Sequence, residues 1–230
     1  MKSFVKLAVK VLGCLVVAPA IAVASTITFT NTGVAQNGSG YGNVNQLLVV
    51  SNNTSEYGSV YWNGSATATT VNATNQSLTY DSTFMAPYGS NFGLLFNIAE
   101  PGGAPDVTLF GFQLTFQKAD GTSLFNVTYT APSGGLNLTQ TGAGVGSLGW
   151  LFNVSLTGSD ITNFYGTGTN RIGMSISANN AITGSAGAAE SFSIATAPSL
   201  AVQAVPEPTM PLLLGVGLLG LFLSRRRATR

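Results

Sequence analysis

Strict alternation of apolar and polar residues is what most narrows the folds open to this chain. Phe110, Phe112, Leu114 and Phe116 are separated by Gly111, Gln113 and Thr115. A period of two sends successive side chains to opposite faces, so the run is a strand with one buried and one wet face. Leu148, Trp150, Phe152, Val154 and Leu156 repeat the pattern, as do Ile172, Met174, Ile176 and Ala178, and Phe192 with Ile194 marks a closing strand. Asp120-Gly121 supplies a hairpin turn, from which Leu124–Thr130 returns as the second arm. Earlier strands are expected at Thr26–Thr30, Val44–Val50, Ser59–Trp62, Ser77–Phe84 and Phe92–Ile98. About ten short strands divided by Gly, Asn, Ser and Thr clusters, with no long amphipathic helix, predict an all-β fold. The architecture expected is a single β-sandwich, jelly-roll-like, over residues 25–196. A chain of this length buries roughly 70% of its unfolded surface, enough for a two-sheet core without covalent staples.

Charge is scarce and unevenly placed. Between Ser25 and Ala204 stand two cations, Lys118 and Arg171, against seven acids, a net of −5. Phosphate backbones need a basic stripe that this region lacks, so nucleic acid is excluded as a partner. The chain has no His, and its one Cys, Cys14, falls in the first 24 residues. A Ser-His-Asp triad, a Cys nucleophile and the usual zinc sites are therefore excluded from the domain, and no catalytic residue is expected. Glycoside hydrolysis needs two carboxyl groups ~5–9.5 Å apart. Asp106 after the Pro101–Pro105 turn, Asp120 in the Asp-Gly hairpin turn and Asp160 in Gly158-Ser159-Asp160 read as turn acids, not as such a pair. Calcium is the one cofactor left open, built from distant loops, with Glu100, Asp106 and Asp160 as its candidate ligands.

Sugar binding requires no titratable group, only rings that stack on sugar faces and amides that bond hydroxyls. Tyr57, Tyr61 and Trp62 stand in the Asn- and Gly-rich stretch Tyr57–Asn63 and are the candidate glycan-binding residues. Alternation puts Tyr57 and Tyr61 on one strand face and Trp62 on the other, and only the face turned away from the core can bind. Strand edges with so little charge also invite pairing with further copies.

The two ends read as addresses. Lys2, Lys6 and Lys10, an apolar run from Val11 to Val17, and Ala22-Val23-Ala24 before Ser25 form a tripartite secretory signal peptide over residues 1–24. Cleavage is expected between Ala24 and Ser25, handing the rest to the export machinery's far side. Residues 197–205 read as a linker, with Pro198 among small residues. Pro206-Glu207-Pro208 follows, then an apolar run from Met210 to Leu223, then Arg225-Arg226-Arg227. The arginines hold the C-terminus on the cytoplasmic side. The apolar run is shorter than the ~20 residues of a comfortable transmembrane helix. On composition alone it is either a permanent inner-membrane anchor or a signal that an enzyme removes.

The order and spacing of residues 206–230 resemble the PEP-CTERM sorting signal of exopolysaccharide-producing Gram-negative bacteria. That resemblance implies recognition by a membrane-embedded exosortase, with Pro206, Glu207 and Pro208 as the recognition motif and Arg225, Arg226 and Arg227 as the topology signal. It implies a transient membrane anchor and delivery to the cell surface or extracellular matrix. The function expected is a structural or adhesive protein of biofilm or floc associated with exopolysaccharide. The alternative is a carbohydrate-binding module for that polymer, and a glycan-degrading enzyme is the third reading.

Overall fold

The computed structural model describes residues 24–35, 45–51, 54–98, 106–138, 148–166, 168–184 and 189–196. Ala22, the linker at 197–205, and the sorting motif with its apolar run and arginines lie outside the described residues.

In chain order the elements are β1 (Thr26–Ala35), β2 (Gln46–Val50), β3 (Ser55–Glu56), β4 (Gly58–Trp62), β5 (Thr67–Thr69), β6 (Tyr80–Asp81) and a short helix α1 (Ser82–Met85). There follow β7 (Asn91–Ile98), β8 (Val107–Leu109), β9 (Gly111–Gln117), β10 (Ser123–Thr130), β11 (Leu136–Leu138), β12 (Leu148–Ser155), α2 (Gly158–Tyr165), β13 (Arg171–Ile176), β14 (Ile182–Thr183) and β15 (Glu190–Thr196). The protein is all-β, in antiparallel sheets. One sheet runs β1-β12-β7-β15-β2 and a second runs β10-β9-β13-β4-β5, with β6 pairing the end of β13. A smaller sheet of short strands runs β11-β8-β14-β3.

The alternation read from the sequence decides which faces meet. Phe112, Leu114 and Phe116 of β9 point inward and are buried, while Gln113 and Thr115 between them are partly exposed. Across from them, Phe92, Leu94 and Phe96 of β7 and Phe152 and Val154 of β12 are buried in the same cluster. The two large sheets touch through rings: Phe112 meets Phe152 edge-on at 5.2 Å and Phe192 at 5.1 Å, and Tyr129 meets Phe152 at 4.9 Å. A fully buried Phe contributes about 1.5–3 kcal/mol through removal from water, so this aromatic layer is the main tie between the sheets.

Ser77–Phe84 is not the strand that its sequence predicts. Only Tyr80 and Asp81 pair, and the chain then turns into α1. Asp81 is the cause: its Oδ1 accepts the Phe84 N–H at 2.8 Å and caps the helix. The run ending at Ala178 is also shorter than expected, because residues 178–180 form a 3-10 turn. Two acids depart from the picture of solvated turn residues. Glu56 of β3 and Glu190 of β15 are fully buried, and both are engaged by other groups of the chain.

Candidate functional site

The ends of β4, β9 and β13 converge where both cations of the domain stand. Arg171 opens β13 opposite Gln117, the last residue of β9, and Lys118 follows directly. Pairing between β4 and β13 stops at Val60. Beyond it the Gln117 amide takes over the role of a strand: its Oε1 accepts the Trp62 N–H at 2.8 Å, and its Nε2 donates to the Trp62 carbonyl at 2.9 Å and to the Gly121 carbonyl at 3.0 Å. The Trp62 indole N–H donates to the Ala119 carbonyl at 2.8 Å, and the Arg171 guanidinium lies 4.2 Å from the ring centroid. Arg171 also reaches Asp81 at 4.0 Å. Trp62 is thus half-buried, with one ring face covered by a cation and its polar edge spoken for.

Two turns meet beneath it. Asn63–Ala66 is closed by the Asn63 carboxamide, which accepts from the Ser65 and Ala66 N–H groups. Lys118–Thr122 is closed by the Asp120 carboxylate, which accepts the Thr122 hydroxyl at 2.7 Å and its N–H at 2.9 Å. Those two bonds hold the exposed Asp120 carboxyl below its ordinary range. The turns touch backbone to backbone at Gly64 and Gly121, both at positive φ, where an added Cβ would lie 2.6 Å from the Asp120 carbonyl oxygen and 2.8 Å from Asn63. Only glycine admits this approach.

Beside the turns opens a cleft of about 440 Å³ lined by Lys118, Asp120, Leu124, Thr162, Asn163 and Asn170 among others. Its far wall is the end of α2, held in place by Asn170, whose Nδ2 donates to the Asn163 and Phe164 carbonyls. The cleft therefore offers an ammonium, a carboxylate, amides and a hydroxyl over a leucine, which suits a polyhydroxylated ligand more than an apolar one.

The other sequence candidates fall as follows. Tyr61 is exposed and points away from the core; Tyr57 is half-buried and packs against the core, so the two do not form one open surface with Trp62. Asp106 is exposed and accepts from Asn137 at 3.3 Å. Asp160 lies in the first turn of α2 and accepts the Ser25 hydroxyl at 2.6 Å. Glu100 lies outside the described residues. Among the described residues no three His, Cys, Asp or Glu side chains converge to hold an ion, and no helix is long and apolar enough to cross a membrane. The cleft itself was not foreseen, because its walls come from three separated segments and no short motif encodes them.

The model of the PEP-CTERM protein-sorting motif matches residues 204–227. This chain is a PEP-CTERM sorting domain-containing protein. The match spans Pro206-Glu207-Pro208, the apolar run and all three arginines of the cluster. The PEP-CTERM motif makes this an exported protein sorted through an exosortase, with the membrane as a station on the route. No curated protein and no solved structure matches the chain significantly.

Proposed function

We propose that this PEP-CTERM protein is a non-enzymatic structural or adhesive component of the cell surface or extracellular matrix, associated with exopolysaccharide in biofilm or floc. The observation that carries this reading is the sorting motif at residues 204–227, joined to an all-β domain with only two cations. A surface of hydroxyls, amides and glycines is compatible with neutral polymers and with other copies of itself. We read the ring contacts between the two large sheets as the expected β-sandwich, jelly-roll-like in outline. The described cleft lining carries one carboxylate, Asp120, engaged by Thr122, which favours a binding or structural role over glycoside hydrolysis. The test is fractionation of native host cultures: the protein is expected in the matrix fraction, with weaker flocs or biofilm on its deletion. A protein confined to the inner membrane, with unchanged matrix on deletion, contradicts it.

The cleft supports the second reading, a saccharide site, with Lys118, Asn163 and Thr162 as the groups that reach hydroxyls. Binding of the host exopolysaccharide, lost on Lys118→Ala with Asn163→Ala and kept on Tyr61→Ala, is the expected outcome. Equal binding by all variants contradicts a site in the cleft.

A further inference from the structure

The cleft beside the two turns holds the unpaired cation of the domain, and every residue lining it lies among the described ones. Of the two cations between Ser25 and Ala204, Arg171 is committed: its guanidinium covers the Trp62 ring at 4.2 Å and reaches Asp81 at 4.0 Å. Lys118 makes no ion pair, although Asp120 stands two residues away in the same turn. The reason is local. Asp120 turns its Oδ1 onto Thr122, accepting the hydroxyl at 2.7 Å and the N–H at 2.9 Å, so the carboxylate is spent on closing the turn. The Lys118 backbone is anchored at both its groups: its N–H donates to the Thr122 carbonyl at 2.8 Å, and its carbonyl accepts the Gly121 N–H at 2.9 Å. The ammonium therefore stands on a fixed base with its charge available to a ligand.

The opposite wall has the reverse polarity. Thr162 and Asn163 lie in the last turn of α2, which holds no basic residue. The end of a helix carries partial negative charge, so this wall favours donors over anions. The Thr162 hydroxyl donates to the Ser159 carbonyl at 2.9 Å and keeps lone pairs to accept with. Between the walls Leu124, packed on the core, supplies an apolar patch. A cation on one side and acceptors on the other select a ligand with an anionic group at one end and hydroxyls at the other. A sugar acid has that form, with a C–H face for the leucine. A neutral sugar leaves the ammonium without a counter-charge. An amino sugar brings a second ammonium beside Lys118, against like-charge repulsion. The volume of about 440 Å³ admits a short stretch of such a chain.

We propose that the cleft recognises a carboxylate-bearing sugar of the exopolysaccharide, with Lys118 pairing the carboxylate and Thr162 and Asn163 taking hydroxyls on the far side. This rests on the saccharide reading of the cleft given above and adds to it the charge of the ligand. Elsewhere the domain's net of −5 discourages a polyanion, so Lys118 confines docking to this end.

The test is calorimetric titration of the full chain with the host exopolysaccharide, and with the same polymer after chemical reduction of its carboxylates to primary alcohols. Reduction keeps the rings and their hydroxyls and removes the charge. The native polymer is expected to bind at least about tenfold more tightly than the reduced one, the scale of a charge-assisted hydrogen bond. Lys118→Gln is expected to lower affinity for the native polymer by the same factor and to leave that for the reduced polymer unchanged. Lys118→Arg is expected to keep most of the preference. Equal affinity for the two polymers, a preference that survives in Lys118→Gln, or a host polymer without carboxylate sugars overturns the proposal. Equal binding that Lys118→Ala with Asn163→Ala abolishes leaves the saccharide reading standing with a neutral ligand, whereas binding of neither polymer ends both.

Discussion

Gln117 grips both backbone groups of Trp62, accepting its N–H at 2.8 Å and donating to its carbonyl at 2.9 Å. A side chain here continues a β-ladder past the point where the strand pairing ends. Gln117→Ala strips three hydrogen bonds and leaves Trp62 backbone groups to find new partners. The expected loss is about 2–3 kcal/mol in urea unfolding. Gln117→Glu keeps an acceptor for the Trp62 N–H and loses both donations, so an intermediate loss is expected. Wild-type stability in both variants would show that water replaces the amide at no cost.

Phe112 contacts Phe152 and Phe192 across the core, whereas Tyr61 stands on the outer face of its sheet. Phe112→Ala is expected to cost about 3–5 kcal/mol, since a cavity adds to the lost transfer energy. Tyr61→Ala is expected to stay within about 0.5 kcal/mol. Comparable losses in the two would contradict the assignment of faces.

That assignment was legible because the signal is long. The Phe112–Phe116 run fixes a buried face without reference to partners, and β9 matches it; on β12 Phe152 and Val154 are buried as the run predicts, but Leu151 and Asn153 between and beside them are buried too, so the expected wet face is not seen there. Where the signal is short it fails. The strands of the small sheet span only two or three residues, too few to show a period. Helix α2 went unread because its Thr-Asn-Phe-Tyr sequence has the composition of a strand, and its start depends on Ser25, more than a hundred residues away. The buried Glu56 and Glu190 were equally invisible, because charge type says nothing about burial in a strand of two residues or at a strand's first position. The sorting motif, by contrast, lies in one contiguous stretch and was readable in full.

Ser25 links the start of β1 to α2: its hydroxyl donates to Asp160 at 2.6 Å and accepts the Thr157 N–H at 3.0 Å. It does from a distance what a capping residue does locally. Ser25→Ala is expected to destabilise the domain by about 1 kcal/mol, and Ser25→Thr to retain most of that contribution. Chemical denaturation of the two variants checks the difference; equal loss in both would point to packing and not to the hydroxyl.

Tyr165 gives the domain an alkaline limit. Its hydroxyl donates to the Gly89 carbonyl at 2.6 Å, and burial pushes its pKa from 10.0 up to about 12. A folded value above the unfolded one means the contribution is complete below about pH 10 and is lost as pH rises towards 12. Burial moves Tyr80 and Tyr129 in the same direction. Stability measured by denaturant should therefore fall across that window. Tyr165→Phe is expected to be about 1 kcal/mol less stable at neutral pH and to show a shallower alkaline decline. An unchanged decline would remove Tyr165 as its source.

On the proposed function, the β domain is exported and released from its tail by sorting. Intact mass of the protein from the matrix or surface fraction of its native host tests this most directly. The expected mass starts at Ser25 and ends near Pro206–Pro208, and is not recovered from variants with Pro206, Glu207 and Pro208, or Arg225, Arg226 and Arg227, changed to Ala. A mass still running to Arg230 would contradict it and make the tail a permanent anchor.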